Sequence, residues 1–531
     1  MNRPFSTAAS THVLRFDCEF LESRQMLAGN VTVDVVGGNL VITGDDQVNE
    51  ISITQFGVAQ PDQFLVHSGS NPTTLNGQNG SLLMQGVTRD VRINLRGDIG
   101  NVGLYLAAVP RDLVITGEDG GSRFDAAVAT VGRNLRITQA DGFDAINASS
   151  LVVFGATRIS TGTGGSQMLL NNSTLTGNFD LRADAGHSTL VAEVTGFGGN
   201  LTIRGSSGTY RLEQCTVEGR VNGTFGDGIE SWETKNSTLS GDLRLSFGAG
   251  DSFVETEDST FYGNVQIRDT DGASSFIAYY NDFAKSLVIS NGDGGAKLTL
   301  FESNLGGDLR LTNQDGYDSV YLYSSSLNSA RISNGDGGSW TRLIGALADR
   351  DVRVTSGAGG DRLYRYGGRM DGLTVITGAG ADDVDMVRAL VQSNLKITSC
   401  ESLTLDMDRV EVIGTTQIRG GSDSDFVQID DSDFHGSFSL QTNGGADIVS
   451  LETDDTYYTE ITSFYAAARF SLGDGNDVLR IGSSMGVGRR VRFLQQPRLD
   501  GGRGLDLLDY AGHGNVFVAG FPTPRSFEVV L

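Results

Sequence analysis

Cysteine is almost absent: the 531 residues hold three, Cys18, Cys215 and Cys400, far apart and without CxxC spacing. That excludes a disulfide framework and a zinc site built on paired thiolates. Proline is scarce too, with seven residues and none between Pro110 and Pro497. No run of eighteen apolar residues occurs, so a membrane-spanning helix is excluded. The N-terminal MNRPFSTAASTHVLRFDCEF lacks the apolar core of an ordinary secretory signal. The histidines, His12, His67, His187, His435 and His513, stand singly without HExxH or HxH spacing and read as surface or turn residues. No GxxxxGK[ST] loop is present, which removes a common signature of nucleotide-binding proteins. Basic residues are short as well: 40 Lys and Arg face 65 Asp and Glu, a formal net charge of −25. Like charge opposes nucleic acid or an anionic membrane at a distance, so cations and neutral surfaces are the expected partners.

Glycine is abundant, at 72 residues, without the three-residue period of collagen. Gly120, Gly142, Gly164, Gly186 and Gly208 are spaced by 22, and after one shorter step the series resumes at Gly228 and runs through Gly250, Gly272, Gly294, Gly316, Gly338 and Gly360. A second series, Gly155, Gly177 and Gly199, then Gly219, Gly241 and Gly263, with Gly307 later, keeps the same period. Two tight corners per repeat are expected.

Apolar residues keep the register. Phe124, Ile146, Met168, Leu190 and Leu212, then Trp232, Val254, Phe276, Leu298 and Val320, follow the first glycine by four. Ile115, Ile137, Ile159, Leu181 and Ile203, continued by Leu245, Ile267, Ile289 and Leu311, make a second file; Leu239, Phe261, Phe283, Leu305 and Leu327 make a third. Around each file apolar and polar residues alternate with period two, the strand pattern. Short strands recurring every 22 residues, like over like, predict an all-β fold: a parallel β-helix whose coils stack at about 4.8 Å, right-handed by the general preference of parallel crossovers. The proline-free stretch agrees, because proline removes a ladder hydrogen bond. Ser237, Ser259, Asn281, Ser303 and Ser325, two residues before the third file, are placed to hydrogen-bond their stacked equivalents at a corner. The predicted organisation is an N-terminal export or sorting segment over 1–29, a cap over 30–88, repeats over 89–460 and an irregular C-terminal cap over 461–531.

The stretch LESRQMLAGN at 21–30 resembles the L-E-x-R-x-L-L (LEPR-XLL-like) motif of large planctomycete extracellular repeat proteins: Leu21, Glu22, Arg24 and Leu27 match, and Met26 replaces a leucine. The resemblance implies export to the cell surface or beyond and no known enzymatic activity. LGDGNDVL at 472–479, GAGGDRL at 357–363, GGADIVSL at 444–451 and DGGRGLDLLDY at 500–510 are similar to RTX-type calcium repeats, although those recur every nine residues. Their aspartates Asp474, Asp477 and Asp506 are the positions at which that resemblance implies calcium. Independently, Asp271, Asp293 and Asp315 precede the repeating glycine in successive coils. Unit charges one strand spacing apart repel by roughly 1 kcal/mol even in water, a penalty that calcium would remove; ordinary turn chemistry explains the same residues.

On the outward side, Tyr279, Phe301 and Tyr323, with Tyr321 beside them, are expected to form an exposed aromatic strip suited to polysaccharide or to another surface protein. The expected function is a secreted or cell-surface structural or adhesive solenoid without catalysis. Two alternatives stay open: a polysaccharide lyase or hydrolase, with candidates Asp423, Asp425, Asp430 and Asp431, and a calcium-dependent binding module. An enzyme should show acidic and basic side chains of three or four adjacent coils meeting in an outward groove.

Overall fold

Each coil turns on three short strands, as in the coil formed by Thr157–Thr161, Ser166–Asn171 and Thr174–Leu175. The computed structural model describes residues 29–55, 60–69, 73–97, 100–117, 120–453, 461–482, 490–510 and 514–531. Leu21, Glu22, Arg24 and Leu27 lie outside the described residues. Among those described, every regular element is a β-strand. Successive coils pair in parallel, for example Leu135 on Thr157 and Ile146 on Met168. The result is a parallel β-solenoid of about 19 turns, roughly 90 Å long at the usual strand spacing.

The apolar files run down the inside, buried from Val31 to Leu508. Leu287, Ile289, Leu298 and Leu305 represent the three walls of one coil, none more than 2% exposed. Two positions depart from the expected register: a 21-residue step pairs Asp318 with Ser339, so that Gly338 and Gly360 stand one residue out of line with Gly316, and the other lies at Leu190. Leu190 pairs with Tyr210, and Leu212 stacks on Ala192 instead. The 20-residue coil is the one that brings His187 beneath Ser207, one coil earlier than the glycine spacing suggests, so Gly208 stands over Ser188 and outside the turn series. At true members of that series the backbones touch. A Cβ on Gly164 would lie 2.2 Å from the Gly142 carbonyl carbon, and Gly142 itself has φ +109°.

A third corner exists where two were expected. It falls between the second and third strands on one left-handed residue per coil, among them Val128, Ser150, Asn172, Val194 and Asn236, with φ of 47–54°. Such a conformation costs a non-glycine residue roughly 1–2 kcal/mol. It is held from above, as when Asn172 N–H donates to Glu193 C=O at 3.0 Å. The next residue supplies the predicted ladder: Ser237 N–H donates to Ser259 Oγ, Ser259 N–H to Asn281 Oδ1, Asn281 N–H to Ser303 Oγ and Ser303 N–H to Ser325 Oγ, at 3.0–3.2 Å.

The ends differ. Over 30–88 antiparallel pairs appear, Asn30–Val36 with Asn39–Thr43 and Asn49–Gln55 with Phe64–Ser68. Over 461–510, however, the parallel stack continues, with Phe438 under Ala468 and Phe470 under Leu499. The coils there lengthen to 30 and 29 residues, measured from Asp447 to Asp477 and on to Asp506. The 22-residue period is lost although the register survives.

Candidate functional site

The second strand of each coil presents the face with the most varied chemistry. Register places Tyr279, Phe301, Tyr323, Ile344 and Tyr366 in one outward column and Tyr321, Arg342, Tyr364 and Asp385 in the next. The aromatic strip therefore exists and runs two coils beyond Tyr323. Its rings are half-buried by one another: Phe301 and Tyr323 stack at 4.7 Å with planes 6° apart, Tyr279 lies 6.0 Å from Phe301, and Tyr321 lies 6.0 Å from Tyr323. Tyr280, at a left-handed corner and 50% exposed, meets Phe301 edge-on at 5.6 Å. Sequence reading stopped at three coils because Ile344 interrupts the run of rings.

Beside the strip lies a groove of about 310 Å³ lined by Trp340, Arg342, Arg362, Tyr364, Asp383 and Asp385. The Arg342 guanidinium sits 3.2 Å over the Trp340 ring, and Arg362 Nε is 3.8 Å from Asp383 Oδ2. Burial, then the nearby charges of Asp383 and Asp408, pushes the Asp385 carboxyl above the usual range, and its Oδ1 is buried without a hydrogen-bond partner. Further along the face, a groove of about 440 Å³ carries Tyr105, Asn147, Asn171 and Glu193 around the Arg123–Asp125 pair at 2.7 Å.

The six aspartates expected at calcium divide into two environments. Asp271, Asp293 and Asp315 are exposed at turns, and Asp474 is exposed at the end of strand Ala468–Asp474. Asp477 and Asp506 point inward and are wholly buried. Among the described residues no three His, Cys, Asp or Glu side chains converge to hold a metal, so there is no preassembled cage. Asp477 and Asp506 belong instead to a carboxylate ladder: Leu403 N–H donates to Asp425 Oδ1, Asp425 N–H to Asp447 Oδ1, Asp447 N–H to Asp477 Oδ1 and Asp477 N–H to Asp506 Oδ1, at 2.8–3.0 Å. Asp425 thus faces the interior and is no outward catalytic carboxylate. Sequence reading missed this file; its signal is an aspartate two residues after the turn glycine, as in Gly142 with Asp144 and Gly316 with Asp318.

Fold and faces together define a parallel β-solenoid with an aromatic, grooved second face. No protein-family model, curated protein or solved structure matches the chain.

Proposed function

We propose that the protein is a non-catalytic, secreted or cell-surface rod that binds glycan through its second face. The observation that carries this reading is the ring column Tyr279, Phe301 and Tyr323, resumed at Tyr366 beyond Ile344, with Tyr321, Tyr364 and Trp340 on the same face. Half-exposed rings in a straight row suit the apolar faces of successive sugars, and a row fixed on strands loses little entropy on binding. The test replaces Tyr279, Phe301 and Tyr323 by serine together, verifies the β-sheet spectrum, and measures retention on neutral polysaccharide and cell-wall material. Loss of retention by the folded variant is expected; retention equal to the parent removes the reading.

An enzymatic reading is favoured by the groove, where acidic and basic groups of three adjacent coils meet. Asp385, which holds its proton more tightly than an ordinary carboxylate, has the character of a proton donor to a glycosidic oxygen, with Asp383 as the partner carboxylate. Asp385→Asn should then abolish release of sugar ends from a polysaccharide panel at an unchanged melting temperature. A parent that cleaves none of the panel eliminates this alternative. The calcium-dependent reading is supported by the second oxygens of Asp477 and Asp506, which are buried without hydrogen-bond partners.

A further inference from the structure

The first strand of each coil carries a face unlike the other two. Its outward column runs from Arg92 through Arg136 and Arg158 to Arg244, then through Arg310, Arg331 and Arg353 to Lys396, Arg469 and Arg498. The adjoining column adds Arg182, Arg204, Arg268 and Arg419. All these side chains are exposed. The carboxylates within these two columns are Asp180 and Asp500; Asp474 is exposed at the end of strand Ala468–Asp474, and Arg92, Arg182, Arg204, Arg244 and Arg310 pair with Asp90, Asp184, Asp180, Asp242 and Asp308. A molecule of net charge −25 nonetheless carries a line of exposed basic groups along one side of the rod.

The charge is densest where Arg310, Arg331 and Arg353 occupy three successive coils. With Arg350 they line a groove of about 390 Å³ whose acidic members are Asp308 and Asp351. Asp308 is largely engaged: its Oδ1 accepts from Asn328 Nδ2 at 2.9 Å and from Ser329 Oγ at 2.8 Å, and Arg310 stands 3.7 Å from its Oδ2. Among the described residues no ion pair engages Arg331 or Arg353; Arg353 Nε donates to Thr355 Oγ1 at 3.3 Å. Beside the arginines runs a hydroxyl column, Ser290, Thr312, Ser333 and Thr355.

We infer that this first-strand face binds a linear anionic polysaccharide, laid along the rod axis with its carboxylates or sulfates on the arginine column. Three features select that occupant. The basic groups form a line, and the coil rise of about 4.8 Å is comparable to the length of one sugar residue, so anionic groups and guanidiniums stay in step. Arginine dominates, the chain having only four lysines, Lys235, Lys285, Lys297 and Lys396, and its planar fork matches carboxylate and sulfate oxygens while the hydroxyl column meets sugar hydroxyls. Among the described residues no aromatic side chain points outward from these strands, which leaves unstacked nucleobases nothing to lie on. The net negative charge does not prevent binding, because exposed charges more than about 8 Å apart are largely screened at physiological ionic strength.

The test measures binding of the full chain to polygalacturonate and to a sulfated glycan, with dextran and a short DNA duplex as controls, against Arg310→Ala/Arg331→Ala/Arg353→Ala. All three side chains are exposed, so the melting temperature should not change. Expected are binding to at least one anionic glycan and none to dextran on this face. The variant should bind roughly tenfold or more weakly, with a shallower dependence on salt. Arg136→Ala/Arg158→Ala, far along the rod, should show a smaller loss of the same kind. The serine variant of the aromatic column should bind the anionic glycans as the parent does, which separates this face from the second one. The inference is overturned if neither anionic glycan binds, if the triple variant keeps parental affinity and salt slope, or if DNA competes equally. Self-association of the free protein that the same substitutions abolish would assign the face to a second copy of the chain.

Discussion

Arg365 lies wholly inside the coil stack, on Leu343 and under Met386. Its Nη1 donates to Leu343 C=O at 3.2 Å and its Nη2 to Ala346 C=O at 3.1 Å, and burial lowers its pKa to about 10. The group stays charged at neutral pH with only carbonyl dipoles to receive it. Replacing an imperfectly compensated buried charge by an apolar group of similar volume is commonly neutral or stabilising, so Arg365→Met should raise the melting temperature, while Leu298→Asp, which creates a buried charge, should abolish folding. A lower melting temperature for Arg365→Met would show that the two carbonyl bonds outweigh desolvation. Period-two parity in DRLYRY does place Arg365 inward with Leu363, but arginine rarely reads as a core residue. The left-handed corners were hidden for a similar reason: Val128 and Val194 carry no turn chemistry, and the strain is held by the coil above. The serine and asparagine ladder, by contrast, was legible because its residues are corner formers recurring at a fixed interval.

At the scale of an element, the buried carboxylate file sets a pH response. Burial first of all raises Asp144 and Asp425 to about 7 and Asp318, Asp361 and Asp477 to about 6, from an ordinary value of 3.8. A carboxyl that holds its proton more tightly when folded contributes stability that is complete below the unfolded value and is lost as pH rises through the folded one. The melting temperature should accordingly fall between pH 5 and pH 8, and Asp425→Asn should flatten that fall. An equal slope in the variant would show that general charge repulsion governs instead. At pH 8 millimolar calcium should restore part of the loss, and Asp477→Asn should shrink that gain; identical curves in calcium and chelator would leave the ladder to protons alone. The turns before Asp144 and Asp318 were legible from the 22-residue glycine interval. The inward direction of these carboxylates follows from parity with the apolar residue four past the glycine, as in Asp144 with Ile146, but aspartate rarely reads as a core residue.

Across the whole molecule, repeat length, strand type, stacking and the three walls were readable because each coil repeats one hydrogen-bonding and packing problem. The C-terminal coils escaped notice since longer connections broke the interval without breaking the stack, and the basic face escaped because a summed charge erases its own distribution. Backbone hydrogen bonds in this stack run along the rod axis, so tension applied between its two ends loads successive coils in series and peels them away singly. Each 22-residue coil that comes free should lengthen the chain by roughly 70 Å, at about 3.3 Å or slightly more per residue. Single-molecule pulling should accordingly give a sawtooth of near-equal steps, and one rupture of the entire length would contradict coil-by-coil release. Such a rod dissipates work gradually under load and yields without parting.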